Sequence, residues 1–138
     1  MADYTLQYTA SEIDNRLGRP LPVTQGGTGQ TASNTNVSVT YNTTVASSHS
    51  MTVRRFPYFG MCFLRGSFVV TGQAVEANTW IEVASVPNAP NYTTALSISA
   101  INGGAAVIDN NGKIKVLFDT AQTSGQTRNV YVSGWWFA

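Results

Sequence analysis

The residue types that carry most enzyme chemistry are few in this chain of 138 residues. His49 is the sole histidine, so a Ser-His-Asp hydrolase would have to use it. It lies in Ser-Ser-His-Ser, without the surroundings of a nucleophile elbow, and a histidine in a serine-rich turn is typically just solvated. We therefore predict no catalytic residue and interpret His49 as an exposed turn residue.

The metal-binding and redox candidates are equally sparse. Cys62 is the only cysteine, which excludes an intrachain disulfide and a zinc-finger cluster. One histidine and one cysteine cannot form a nitrogen–sulfur metal site within a single chain. The seven carboxylates show no EF-hand spacing, although a glycosidase pair brought together by folding stays open. We predict no metal and no cofactor, and a buried, hydrophobic role for Cys62.

The glycine-rich stretch LPVTQGGTGQTAS, residues 21–33, has three possible interpretations: a phosphate loop, a flexible linker or a neck where several chains meet. A Walker loop needs a lysine before its Ser/Thr, whereas here Gln30 and Thr31 follow Gly29. The stretch also does not connect a strand to a helix, as a dinucleotide-binding loop does. The phosphate-binding interpretation therefore fails on sequence context.

Composition excludes further classes of function. Only 11% of residues are charged, against roughly 25% in average soluble domains, and the net charge is +1. Nothing here predicts binding to nucleic acid or to an anionic membrane. No apolar run is long enough to span a bilayer, and residues 1–14 lack the apolar segment of a signal peptide. We expect one domain with a short appendage.

The first 20 residues predict a short helix. Thr9 and Glu12 form a capping box, and Gly18 and Pro20 mark the end. Its narrow apolar stripe consists of Ile13 and Leu17. Such a helix is unstable alone, and residues 21–35 contain too few apolar side chains to hold one conformation by themselves. Other chains could supply the missing contacts.

Residues 36–138 alternate with period two and predict roughly seven or eight strands of an all-β sandwich or barrel. The apolar run 61–72 indicates a strand with both faces covered. Asn110, Asn111 and Gly112 predict a tight hairpin, because they tolerate positive φ angles. The predicted strand segments are 37–41, 51–56, 61–72, 79–86, 95–101, 105–118 and 129–138.

Adjacent residues Trp135 and Trp136 must point to opposite faces of the last strand, so at most one lies in the core. The other faces solvent, a sugar or another subunit. Aromatic side chains are generally enriched in interfaces, which favours the subunit contact.

YTASEIDNRLG followed by PLPVTQGGTGQTAS resembles the N-terminal region of small fibre proteins of tailed bacteriophages. Residues 80–138, including VIDNNGKIKVLF and NVYVSGWWFA, are similar to the β-sandwich heads of phage receptor-binding and fibre proteins. The family's head motif has Gly-Tyr-Arg between two prolines. Here the corresponding prolines are Pro87 and Pro90, and only Asn88 and Ala89 lie between them.

The resemblance implies a homotrimeric, non-enzymatic virion protein. It would have a helical anchor (residues 1–20) that contacts other phage structural proteins, a neck (21–35) and an antiparallel, jelly-roll-like β-sandwich head (36–138). In the neck, glycine lets three backbones approach closely. The neck residues are Gly26, Gly27, Thr28 and Gly29.

The expected function is attachment of the head to a host cell-surface glycan or protein. The alternatives are a capsid-attached head fibre or decoration protein with a structural role, and a fibre-borne glycan hydrolase. Exposed aromatic, amide and, for an anionic receptor, guanidinium groups are the receptor-binding candidates: Arg54, Arg55, Tyr58, Asn88 and Tyr92.

Overall fold

The structure is a computed structural model that describes residues 34–71 and 73–138, and residues 34–138 form a compact unit. The predicted helix and the neck up to residue 33 lie outside the described residues. The expectations for these segments, including the trimer, stay predictions. They concern Ile13, Leu17, Gly26, Gly27, Thr28 and Gly29.

The described residues form nine β-strands, and no helix occurs among them. In chain order the strands are β1 (Thr35–Val37), β2 (Thr40–Tyr41), β3 (Ala46–Phe56), β4 (Met61–Thr71), β5 (Ile81–Ser85), β6 (Thr94–Ala100), β7 (Gly104–Ile108), β8 (Lys113–Phe118) and β9 (Thr127–Phe137). The prediction of a mainly β head is confirmed for these residues.

The strands pair in the order β1-β3-β4-β9-β6-β7-β8-β5-β2, and every strand pairing is antiparallel. Strand β6 is shared: Ser97–Ala100 pair with β9, whereas Thr94–Leu96 pair with β7. The sheet is therefore curled, with a first half from β1 to the end of β6 and a second half from the start of β6 to β2. Strands β6, β7 and β8 are consecutive neighbours and β9 returns beside β6, which is a Greek key.

One hydrophobic core includes residues of both halves. Trp136 from β9 and Phe68 from β4 are fully buried in it, together with Phe118 from β8. Along β9, buried and exposed residues alternate for most of the strand, as strand geometry requires. Trp136 is 1% exposed and donates its indole N–H to the Asn88 carbonyl at 2.7 Å, whereas Trp135 is 53% exposed. The prediction that at most one of the two tryptophans lies in the core is confirmed.

Two predicted strands differ from the structure. Residues 37–41 do not form one strand, because β1 pairs with β3 at one end of the sheet and β2 with β5 at the other. The prediction that both faces of β4 are covered is wrong within the described residues. Its inner face is buried at Leu64 and Phe68, whereas Phe63 and Arg65 are exposed, because none of the described residues forms a second layer over the outer face.

Strand β5 does not keep the predicted alternation. Val83 and Ala84 are both buried, because the register with β8 shifts between Glu82 and Ala84. The predicted hairpin joins β7 to β8. Among its predicted turn residues only Gly112 has a positive φ, of 82°, and an added Cβ there would overlap the Val86 carbonyl oxygen.

Candidate functional site

The outer face of the first half carries two cross-strand rows of polar side chains. Each row crosses four neighbouring strands, β3, β4, β9 and β6. The first row is Thr52, Arg65, Ser133 and Ser97, and the second is Ser50, Ser67, Tyr131 and Ser99. With neighbouring strands about 4.8 Å apart, each row is about 14 Å long, and the two rows lie about 7 Å apart along the strands.

The two rows line a shallow, open groove of about 580 Å³, which we call the hydroxyl groove. Its shape follows from residue size: Tyr131 stands directly between Ser67 and Ser99, and Arg65 lies between Thr52 and Ser133. The small serine side chains leave the tyrosine ring uncovered, and Tyr131 is 59% exposed. The groove is therefore a concave surface with one exposed ring and one guanidinium group.

Most hydroxyl groups of the groove form no hydrogen bond with the described part of the chain. Thr52 donates a long hydrogen bond of 3.4 Å to the Arg65 carbonyl. Among residues 34–71 and 73–138, no hydrogen-bond partner is found for the hydroxyls of Ser50, Ser67, Ser97, Ser99, Tyr131 and Ser133. Each of these hydroxyls can donate one hydrogen bond and accept others.

The groove lies in a positively charged part of the sheet. Strands β3, β4 and β9 contain four arginines and no carboxylate. Arg128 points inward, where it donates to the Thr120 carbonyl at 2.9 Å and lies 4.5 Å from the centre of the Phe118 ring. Arg65 is exposed, and within the described part of the chain it forms no ion pair.

The carboxylates of the described residues lie elsewhere. Glu82 pairs with Lys113 at 3.3 Å, and Asp109 pairs with Lys115 at 2.6 Å, both in the second half of the sheet. The hydrogen bond from Lys115 holds the pKa of Asp109 below its usual value, although partial burial opposes this effect. Neither these two residues nor Glu76 and Asp119 line the groove.

A bulge in β3 lies beside the groove. The register between β3 and β4 shifts between Ser47 and Ser50, and Ser48 has a φ of 46°. The Tyr41 hydroxyl stabilises this region, since it donates to the Met51 carbonyl and accepts from the Met51 N–H, both at 3.0 Å. Just beyond the bulge, Gly66 pairs with Met51 and has a φ of 151°, and an added Cβ would overlap the Ser50 carbonyl oxygen and the Met51 Cα. Glycine is therefore required at this point of the groove.

The same outer face becomes aromatic toward the β3–β4 turn. Phe63 pairs with Trp135, and the next pair is Met61 with Phe137. The rings of Trp135 and Phe137 meet edge to face, with centroids 5.3 Å apart. The Ala138 N–H donates to the Gly60 carbonyl and so holds the turn against the end of β9. Five aromatic side chains here are 38–63% exposed and together form what we call the aromatic end: Tyr58, Phe59, Phe63, Trp135 and Phe137.

Three of the five predicted receptor-binding residues lie at or next to the aromatic end. Arg54 is exposed and pairs with Phe63, and Tyr58 is exposed in the turn. Arg55 is partly buried and donates to the Ala138 carbonyl at 3.2 Å. The hydroxyl groove contains none of the three, and their role in recognition stays a prediction.

The other two predicted residues lie in the β5–β6 connection, outside the groove. Asn88 is partly buried, and its backbone carbonyl accepts the Trp136 indole hydrogen bond. Tyr92 is 83% exposed, and its carbonyl accepts the Thr94 hydroxyl at 2.9 Å. Asn88 thus has a structural contact, and Tyr92 is the more accessible of the two.

His49 and Cys62, the candidates for catalytic and redox chemistry, lie in different environments. His49 is exposed, but it lies in strand β3 rather than in a turn, and its ring stacks on Tyr41 with centroids 3.6 Å apart. Cys62 is fully buried, as predicted, and burial raises the pKa of its thiol, partly offset by the nearby Arg55 guanidinium. No group of three or more potential metal ligands occurs within residues 34–71 and 73–138.

Comparison with protein-family models, curated proteins and solved structures finds no match.

The groove residues were not predicted from the sequence, although the sequence contains part of the pattern that marks them. Hydroxyl side chains alternate with apolar ones in LSISA and VYVSG, which marks an exposed polar strand face. The alternation does not reveal which strands are neighbours. Only the pairing brings residues as distant in sequence as Ser50 and Ser133 into one surface.

Proposed function

We propose that the chain is a non-enzymatic subunit of a homotrimeric bacteriophage fibre, whose β-sandwich, jelly-roll-like head attaches the virion to a glycan on the host cell surface. The observation that carries the proposal is the hydroxyl groove: unpaired hydroxyls, one exposed tyrosine ring and one guanidinium in a concave surface. The resemblance of residues 4–33 to phage fibre necks supplies the biological setting.

The chemistry of the groove suits a carbohydrate. A sugar ring offers hydroxyl groups along its edge and C–H groups on its faces. The serine hydroxyls can donate to and accept from the sugar hydroxyls, and the Tyr131 ring can pack against the C–H face. The length of the rows suits a short oligosaccharide rather than a single ring.

The aromatic end supports the homotrimer. Large exposed apolar patches are uncommon on monomeric proteins and typically mark contact surfaces. Aromatic side chains are enriched in the cores of such interfaces. We propose that the aromatic end contacts a second copy of the chain, in addition to the predicted helix and neck. Light scattering of the purified protein at micromolar concentration should give the mass of a trimer, and a monomer mass would contradict this part of the proposal.

Attachment through three weak sites is physically sufficient. Three sites on one rigid assembly can raise avidity by about 10²–10⁴ without any new contact. The test compares the fluorescently labelled full-length protein with a head fragment, residues 34–138, joined to a foreign trimerisation segment, on a panel of bacterial strains. The fragment begins at residue 34 because β1 begins at Thr35.

The fragment should bind the same strains as the full-length protein. If only the full-length protein binds, the receptor site does not lie in the head. If neither binds any strain, the structural alternative, a capsid-attached head fibre or decoration protein, is favoured. Electron microscopy of virions with the labelled protein would then place it on the capsid or on the tail. Release of sugar products from bound cells would instead indicate the hydrolase.

A further inference from the structure

We propose that the hydroxyl groove is selective for acidic oligosaccharides, and that Arg65 binds the carboxylate of a sialic or uronic acid unit while Tyr131 packs against a sugar ring. This inference rests on the proposed function and specifies the class of receptor. It also moves the site for an anionic receptor from the predicted residues Arg54 and Arg55 to a residue that the sequence analysis did not single out.

The guanidinium group of Arg65 has no partner among the described residues. Its side chain is exposed in the groove, between Thr52 on β3 and Ser133 on β9. No ion pair or side-chain hydrogen bond within the described part of the chain occupies its guanidinium group. A guanidinium presents paired N–H donors that match the two oxygens of a carboxylate.

The strands around Arg65 carry no negatively charged side chain. No carboxylate occurs in β3, β4, β9 or β6, so no group on these strands competes with a ligand for Arg65. The two lysines of the described residues, Lys113 and Lys115, are already paired in the second half of the sheet. Arg54 lies on the same face but one row further toward the aromatic end, opposite Phe63.

The residues next to Arg65 are arranged to contact the rest of an acidic sugar. Arg65 and Tyr131 lie in adjacent rows on adjacent strands, and Ser67 and Ser133 complete the square between them. A carboxylate on Arg65 would thus place the rest of its sugar within reach of the Tyr131 ring and of two free hydroxyls. A neutral sugar would use the ring and the hydroxyls but not the guanidinium.

The test measures binding of two matched pairs of soluble probes to the full-length protein by isothermal titration calorimetry. The pairs are sialyllactose with its methyl ester, and oligogalacturonate with its methyl ester, so that each pair differs chiefly in the negative charge of its carboxylate. The acidic member of at least one pair should bind about tenfold or more tightly than its neutral partner. Its affinity should fall as salt rises, because the site is exposed.

Two variants locate the selectivity. Arg65→Gln should lower affinity for the acidic probe to that for its neutral partner and leave the neutral probe unaffected. The control Arg54→Gln removes an exposed arginine from the same face, and it should change the affinities by less than about twofold, since Arg54 does not line the groove. Circular dichroism and light scattering on each variant check that fold and mass are unchanged.

The possible failures are distinguishable. Equal affinity for acidic and neutral probes, or undiminished selectivity in Arg65→Gln, would overturn this inference but not the proposed glycan attachment. A change of oligomeric mass in Arg65→Gln would show that the groove lies between copies of the chain, which would also overturn it. Protein that binds bacterial strains but none of the four probes would overturn the acidic class and leave attachment standing. Failure to bind any strain would contradict the proposed function itself.

Discussion

The hydroxyl groove and the aromatic end occupy the same outer face of the same strands, in successive rows. Along β9, Tyr131 and Ser133 belong to the groove, and Trp135 and Phe137 belong to the aromatic end. Strand periodicity places all four on the outer face, but it does not distinguish their roles. The neighbours on β4 and β6 do: serines surround Tyr131, whereas Phe63 stands opposite Trp135. The difference shows how one sheet face can present a hydroxyl-lined groove beside an exposed aromatic patch.

The largest expected change in the free energy of unfolding comes from the buried tryptophan of β9, and its exposed neighbour is the control. Trp136→Ala should reduce the free energy of unfolding by about 3–5 kcal/mol, because it empties a fully buried volume and leaves the Asn88 carbonyl without its donor. Trp135→Ala should change it by less than about 1 kcal/mol, since that side chain is half exposed. Urea denaturation of the fragment 34–138, without a trimerisation segment, measures both. Equal losses would show that Trp135 stabilises the single head.

A second pair of substitutions compares the backbone of the two regions. Gly66→Ala should cost about 2–3 kcal/mol, because the new Cβ overlaps the backbone of β3 under the groove. Gly60→Ala, in the turn of the aromatic end, should cost only about 1 kcal/mol, because φ there is 59° but nothing lies within 4 Å of the new Cβ. The same denaturation measurement applies. A cost at Gly60 equal to that at Gly66 would mean that steric contact under the groove is not the cause.

A third pair tests which region contacts other copies. Phe137→Ser should raise the dissociation constant of the assembly by about tenfold, because it removes an exposed ring from the proposed interface. Tyr131→Ser should leave assembly unchanged. Sedimentation over a dilution series measures the mass of each variant. If Tyr131→Ser dissociates the assembly and Phe137→Ser does not, the roles of the two regions are reversed.

The smallest effect concerns the charge difference between the halves of the sheet. The pKa of Asp109 is lowered in the folded protein, chiefly by its hydrogen bond from Lys115, with further contributions from the Lys115 charge, Thr93 and Lys113, against partial desolvation. A lowered carboxyl pKa contributes stability above the unfolded value, near pH 4, and loses it as pH falls through the folded value.

Asp109→Asn should therefore lower stability at neutral pH by at most about 1 kcal/mol and reduce the loss of stability below pH 4. Thermal unfolding of the fragment 34–138 at several pH values between 7 and about 2 checks this expectation. An unchanged acid profile in the variant would show that the Asp109–Lys115 pair has no net stabilising effect.

Much of the fold could be predicted from local sequence, because period-two alternation and turn residues act within a few positions. The hairpin at Gly112 and the opposite orientation of Trp135 and Trp136 both followed from such patterns, whereas which of the two tryptophans is buried did not. The split of residues 37–41 could not be predicted, since nothing local indicates that β1 and β2 pair at opposite ends of the sheet. The bulge in β3 and the shift in β5 were also hidden, because they depend on register with a distant strand.

The groove was harder to predict than the fold for the same reason. Serines at alternate positions indicate a polar face, but a polar face is ordinary on an antiparallel sheet. The residues predicted to bind the receptor were instead long side chains, including Tyr58 and Tyr92 in loops. What makes Arg65 and Tyr131 a candidate site is the smallness of their cross-strand neighbours, and that is a property of pairing.

Attachment by a Tyr131 variant of the full-length protein tests the central claim most directly. Labelled wild type, Tyr131→Ser and the ring-retaining control Tyr131→Phe would be compared on a bacterial strain that the wild type binds, with equal oligomeric mass confirmed for all three. We expect Tyr131→Ser to lose most of its cell binding, whereas Tyr131→Phe, which keeps the exposed ring of the groove, should retain most of it. Cell binding by Tyr131→Ser equal to that of the wild type would contradict the claim that the hydroxyl groove is the recognition surface.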